Sequence, residues 1–213
     1  IEDFPRQGIL QIFLACENDC LYGFDFNSAD EQTDQNGFRV IYHKDIITDT
    51  SLLISDDDIP CDSFSSDEYD FPLKKEFILC AEEPDKCPAT PDDYRFGNAL
   101  VSSYSEIMGQ EVSNYWNIDG YDTLYDRCPE SVAFIGGYPR FTQSDPREDC
   151  PSLEGFDRVL FELGSLQGEE ITSWGGHDFD IIWGDVGTGV FLIPAEKLRA
   201  CDFSEVVYNY DCG

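Results

Sequence analysis

The apolar segments of this chain are all short. GILQIFLA (8–15), FRVIYH (38–43), RVLFEL (158–163), DFDIIWGD (178–185), GVFLIP (189–194) and SEVVYNYD (204–211) each run a strand's length and stop against Gly, Pro, Asn, Asp or charge. None approaches the ~18 apolar residues that a membrane-crossing helix needs. The chain is therefore expected to fold as a soluble, sheet-rich domain with no membrane partner. KKEFILCAEE, between Pro72 and Pro84, reads as a further strand, and PAEKLRA as a short helical turn. The polar stretch NSADEQTDQNG ends in Asn36-Gly37, a hairpin signal with a long loop.

One window breaks the β pattern. From Tyr94 to about Trp116, Phe96, Leu100, Tyr104, Ile107 and Met108 recur at three- and four-residue spacing, and Pro91, Asp92 and Asp93 suit a first turn. The spacing predicts a helix, with one face packed on a sheet. Ile12-Phe13-Leu14 resembles Val190-Phe191-Leu192, and Val40-Ile41-Tyr42 with Asp45 resembles Val206-Val207-Tyr208 with Asp211. The expectation is a single α+β domain, 1–213, of mostly antiparallel sheets with an internal β-rich duplication. Pseudo-repeats of about 1–90 and 117–213 are joined by one main helix around 92–116, and the first copy carries an insertion. The chain opens with Ile1 and enters a strand at once, so the first repeat is expected to be N-terminally truncated. With no signal-peptide pattern, the expected location is cytoplasmic.

Charge decides which partners to expect. With 44 acidic against 13 basic side chains the net charge is −31, so a phosphate backbone would be repelled and nucleic acid is excluded as a partner. The same field favours cationic partners. The chain has 9 cysteines, an odd number without any CxxC, and neither Cys16/Cys20 nor Cys80/Cys87 has a neighbouring His to complete a zinc tetrahedron. They read as small buried hydrophobes in a reducing compartment. A Ser or Cys nucleophile would have to use His43 or His177 as its base, and His43, at a strand end, is expected to face solvent. The acidic run SDDDIPCDSFSSDEYD (55–70) reads as an exposed loop. P-loop, GxGxxG, GxSxG and HExxH are absent, and no catalytic residue, metal ligand or cofactor is assigned.

The densest motif is IGGYPRFTQSDPR (135–147). Gly136-Gly137 permits positive φ, Pro139 fixes its own φ, and Phe141 and Gln143 alternate as on one face of a short strand. Arg147 lies close enough to pair with Asp145 or Asp149. As architecture, Phe141 fills the core, Gln143 satisfies backbone groups, and the Asp145–Arg147 pair pins a loop. As a binding site, an apolar floor with an amide and an Arg–carboxylate pair makes one wall, and Trp183-Gly184-Asp185 the other.

FPRQGILQIFLA, GFRVIYH, GGYPRFTQSDPR, IIWGDVGTGVFLIP and VVYNYDC occur in an order and spacing that resembles the YwqG-like family, the domain of unknown function 1963. The resemblance implies an α+β fold with an internal repeat and an additional upstream segment. It implies no established activity, and the neighbourhood of some members to toxin genes suggests an immunity or antagonist role. The functional expectation is a non-enzymatic acidic interaction protein with a basic protein partner. The alternative is a small-molecule-binding protein or hydrolase with a pocket lined by Tyr138, Phe141, Gln143, Asp145, Arg147, Trp183 and Asp185.

Overall fold

The computed structural model describes residues 1–15, 21–24, 33–55, 71–81, 90–121, 123, 132–171 and 177–213. Its centre is a four-stranded antiparallel sheet in the order β3-β4-β7-β8, built from Ala133–Phe134 (β3), Arg158–Gly164 (β4), Thr188–Ile193 (β7) and Val207–Asp211 (β8). Two antiparallel pairs flank it: Ile9–Leu14 (β1) with Phe38–His43 (β2), and Leu166–Ile171 (β5) with His177–Ile181 (β6). The helices whose bounds fall within the described residues are Phe96–Met108 (α1), Pro146–Asp149 (α2) and Ala195–Ala200 (α3). The fold is α+β with one main helix.

β7 reads as a continuous apolar run because both of its faces are covered. On one face Phe191 stacks on Tyr208 at 4.7 Å and packs with Leu160, Ile193, Phe38, Val40 and Trp183. On the other, Val190 and Leu192 join Val159, Val207, Phe141, Leu153 and Phe156. A bulge in β4 lies between Val159, opposite Leu192, and Phe161, opposite Phe191. It turns both Leu160 and Phe161 toward the first cluster and Val159 toward the second. Strict alternation from Val159 would have put Glu162 among the aromatics; the bulge delivers it to the Val190 face instead.

In the first pair, Ile12 lies opposite Val40; in the central sheet Val190 lies opposite Asn209 and Leu192 opposite Val207. Tyr22 and Phe24, from the segment before β2, are buried in the main cluster without forming a strand. The backbones of Gly23 and Gly37 cross so closely that a Cβ on Gly37 would lie 2.0 Å from the Gly23 carbonyl oxygen.

Three expectations are corrected. The helix ends at Met108, far short of Trp116, because Gly109 takes the left-handed conformation (φ 62°) and closes the last turn onto Ser105. None of its residues is buried, and Ile107 and Met108 are 80% and 60% exposed, so among the described residues no face of it packs on a sheet. Its contacts are with the following 3-10 turn, where Tyr115 occupies the space beside Gly97. Secondly, residues 74–81 form no strand: only Leu73 bridges to Ile181, and Ile78 is 94% exposed. Thirdly, Cys80 is exposed where a buried thiol is expected; Cys150, Cys201 and Cys212 are half-buried free thiols, and the other five cysteines lie outside the described residues. So do residues 56–70 of the acidic run.

Gly37→Ala should lower stability by at least about 1–3 kcal/mol, the usual penalty of overpacking against backbone that cannot yield. Gly155→Ala, whose Cβ would meet nothing within 4 Å, is the control. Equal melting temperatures for the two variants would contradict the close crossing.

Candidate functional site

The segment after β3 begins with two left-handed glycines, Gly136 (φ 72°) and Gly137 (φ 74°), which swing the chain off the sheet edge. The expected strand over 140–143 does not form. Among the described residues no neighbouring strand meets this segment, and carboxylates take its backbone amides instead. The Arg140 amide donates to Glu162 Oε2 at 2.9 Å, the Phe141 amide to Asp92, and the Gln143 amide to Asp211 Oδ2 at 2.8 Å, with the Thr142 amide beside it. Arg140 also donates its Nε to Glu162 Oε1 at 2.8 Å and lies 4.1 Å over the Phe134 ring.

Next along the chain, Asp145 caps α2 by accepting the Arg147 amide, and Pro146 occupies the first helical turn. Arg147 is 1% exposed and fully engaged. Its Nε and Nη2 donate to the two Asp145 oxygens at 2.9 and 2.6 Å, Nη2 also to Asp93 at 3.0 Å, and Nη1 to the Phe156 carbonyl at 3.1 Å. The Tyr94 ring lies 5.0 Å from the guanidinium carbon. Asp93 accepts a second arginine, Arg95, in a bidentate pair at 2.8 and 2.6 Å, and Asp145 takes the Tyr94 amide at 3.0 Å. Two carboxylates and two guanidinium groups thus join the entry of α1 to the motif. Burial works against ionised Asp93, but the Arg95 hydrogen bonds outweigh it and hold the carboxyl below its ordinary 3.8.

The candidate residues fall into different places. Phe141 is in the second core cluster and Trp183 in the first, where Gly189 leaves room for the indole. Asp145 and Arg147 are consumed in the buried network. Gln143 is exposed and donates its Nε2 to the Cys212 carbonyl at 2.6 Å. Tyr138 is 40% exposed, 5.5 Å from the Arg95 guanidinium. Asp185 is exposed, and its carbonyl accepts the Gly213 amide. His43 is exposed, 2.7 Å from Gln11 Oε1, and the side chain of His177 lies outside the described residues. No group of metal-binding side chains occurs among the described residues.

Two surface grooves lie elsewhere, separated by Tyr42 and Phe203. One, of about 540 Å³, runs between residues 4–8 and the sheet; the other, of about 410 Å³, runs beside Asp34, Arg39 and Cys201. None of the seven candidate residues lines either groove. What the motif does gather is acid. Burial pushes Glu162 up from its ordinary 4.5 against the pull of Arg140, and pushes Asp92 and Asp211 up from 3.8.

The chain matches the family described as Domain of unknown function (DUF1963) over residues 1–212, and it belongs to that family. The match carries that designation and not the YwqG-like name. No curated protein matches the chain.

The raised carboxyls give a pH dependence of definite sign. Above the ordinary range near 4, the folded protein keeps protons on Glu162, Asp92 and Asp211 that the unfolded chain has released, so their effect is to lower stability as pH rises through the folded values. Asp93 acts oppositely, but only below its ordinary 3.8. The melting temperature should therefore fall as pH rises above the ordinary carboxyl range, and by less in Glu162→Gln. Identical pH slopes in the two proteins would contradict the assignment.

Proposed function

We propose that this chain is a non-enzymatic, acidic interaction protein that engages a basic protein partner in the cytoplasm. One observation carries the reading. Lys74, Lys75, Arg95, Arg140, Arg147, Arg158, Lys197 and Arg199 are each committed to an ion pair within the molecule. These eight cations are spent on holding the fold, and the acid excess of a −31 chain is left to face outward. Such a field steers cationic surfaces toward the protein and rejects anionic competitors. The toxin-antagonist role suggested by the family resemblance is the narrower form of this proposal.

The alternative, a ligand or hydrolase pocket around the GGYPRFTQSDPR and WGD motifs, has less to support it. Phe141, Asp145, Arg147 and Trp183 are 7%, 3%, 1% and 1% exposed, which leaves them almost no surface for a ligand.

A pull-down from the native host at low salt should recover a basic protein. The association rate of the purified pair should fall steeply as salt is raised from about 0.01 to about 0.15 M, where screening shortens to ~8 Å. Recovery of no basic protein, or a rate indifferent to salt, would overturn the reading.

A further inference from the structure

Among the described residues, Arg6, Arg39 and Lys44 are the cations that enter no ion pair, and all three lie on or beside the β1–β2 ribbon. In a chain with 44 acids this is a local exception. Arg6 stands at the groove of about 540 Å³ between residues 4–8 and the sheet.

That groove is held in shape. At one end of its outer wall, Asp3 accepts Arg158 Nε and Arg199 Nη1, each at 3.0 Å, with only 8% of its side chain exposed. Within the wall, Tyr42 donates its hydroxyl to the Gln7 carbonyl at 2.7 Å. At the other end Gly8 (φ 102°) lies so close to β2 that a Cβ there would stand 2.6 Å from the His43 carbonyl oxygen. The inner side is apolar, formed by Leu10, Ile12, Leu160 and Phe161. The volume falls within the roughly 300–1,000 Å³ of small-molecule sites, which are mostly apolar with a few placed polar groups.

We propose that this groove binds a small amphiphilic monoanion, a carboxylate with an acyl or aryl body. The apolar body lies against the half-buried Leu10, Ile12 and Phe161, and the carboxylate pairs with the Arg6 guanidinium, a charge-assisted bond open to either planar geometry. A single negative charge is the form the molecule tolerates. Each further charge would meet the field of the −31 chain, whereas one charge in contact with Arg6 feels that nearby cation most strongly, because salt screens the distant acids beyond ~8 Å. A neutral analogue would keep the apolar contacts and lose the pairing. The site rests on Arg6 and an apolar groove and not on the acid excess proposed to draw a basic protein, so either assignment can fail alone.

The test is calorimetry and backbone amide NMR with decanoate, 4-phenylbutyrate and the neutral decanol, at about 0.15 M salt. The expected result is amide shifts at Gly8, Leu10 and Ile12 with at least one of the carboxylates. Decanoate, where it binds, should bind about tenfold tighter than decanol, the scale of one hydrogen bond to a charged group. Arg6→Gln should bring decanoate to the level of decanol while leaving decanol unchanged. Ile135→Glu, which places a carboxylate at a half-exposed rim position, should weaken both carboxylates. Binding of decanol as tight as that of decanoate, carboxylate binding unchanged by Arg6→Gln, shifts confined to other regions, or no binding of either carboxylate would each overturn the proposal.

Discussion

The buried guanidinium of Arg147 is the contact on which the middle of this molecule depends. It sits among two carboxylates, a carbonyl and an aromatic ring, contributed by the residues before α1, by the motif and by the loop after α2. A lone buried charge would be intolerably costly, and even a paired one is favourable only when its hydrogen bonds are complete. Arg147 meets that condition because Asp145, two residues earlier, caps the same short helix and presents both oxygens to the fork. Asp93 then couples this pair to Arg95, so two carboxylates face two guanidinium groups and the network is neutral as a whole. Because α1 buries no side chain, this polar junction and the Tyr115–Tyr121 cluster hold its start in place.

The same economy runs through the rest of the fold. Backbone amides that would ordinarily find a neighbouring strand find carboxylates, and burial raises the affinity of those carboxylates for protons. Arg140 answers Glu162, and Arg158 and Arg199 answer Asp3. Basic residues are drawn into the structure as internal ties, which leaves the exterior strongly anionic. The β1–β2 ribbon departs from this rule, with cations unclaimed beside an apolar groove.

Much of the sheet was legible because its signal is local. Short β-branched and aromatic runs bounded by turn residues marked β1, β2, β4, β6, β7 and β8, and Pro194 before AEKLRA marked α3. What failed shared a cause. KKEFILCAEE has strand composition, but the one bridge there is at Leu73, just before it, and the helical stripe ran past Gly109, whose left-handed backbone ended the helix regardless of the apolar residues beyond. β5 was missed because LQGEEI has little apolar content, its place being set by pairing with β6. Within the motif, the Asp145–Arg147 pair could be anticipated from adjacency, but its partner Asp93 lies 54 positions from Arg147 and no local pattern joins them. Glu162 left one usable trace, an acid within an otherwise apolar strand. The groove beside Arg6 left none, since its walls come from residues 4–12, 42, 135, 160–161 and 203.

The most direct test is a double-mutant cycle of Asp93→Asn and Arg147→Met, measured by chemical denaturation. If the two side chains share one buried network, the effects will be non-additive, with a coupling of about 1–3 kcal/mol, and Arg147→Met alone will cost about 3–5 kcal/mol by stranding its carboxylates. Effects that add to within about 0.5 kcal/mol would mean that the two side chains act independently, and would contradict the buried junction as the tie between helix and motif.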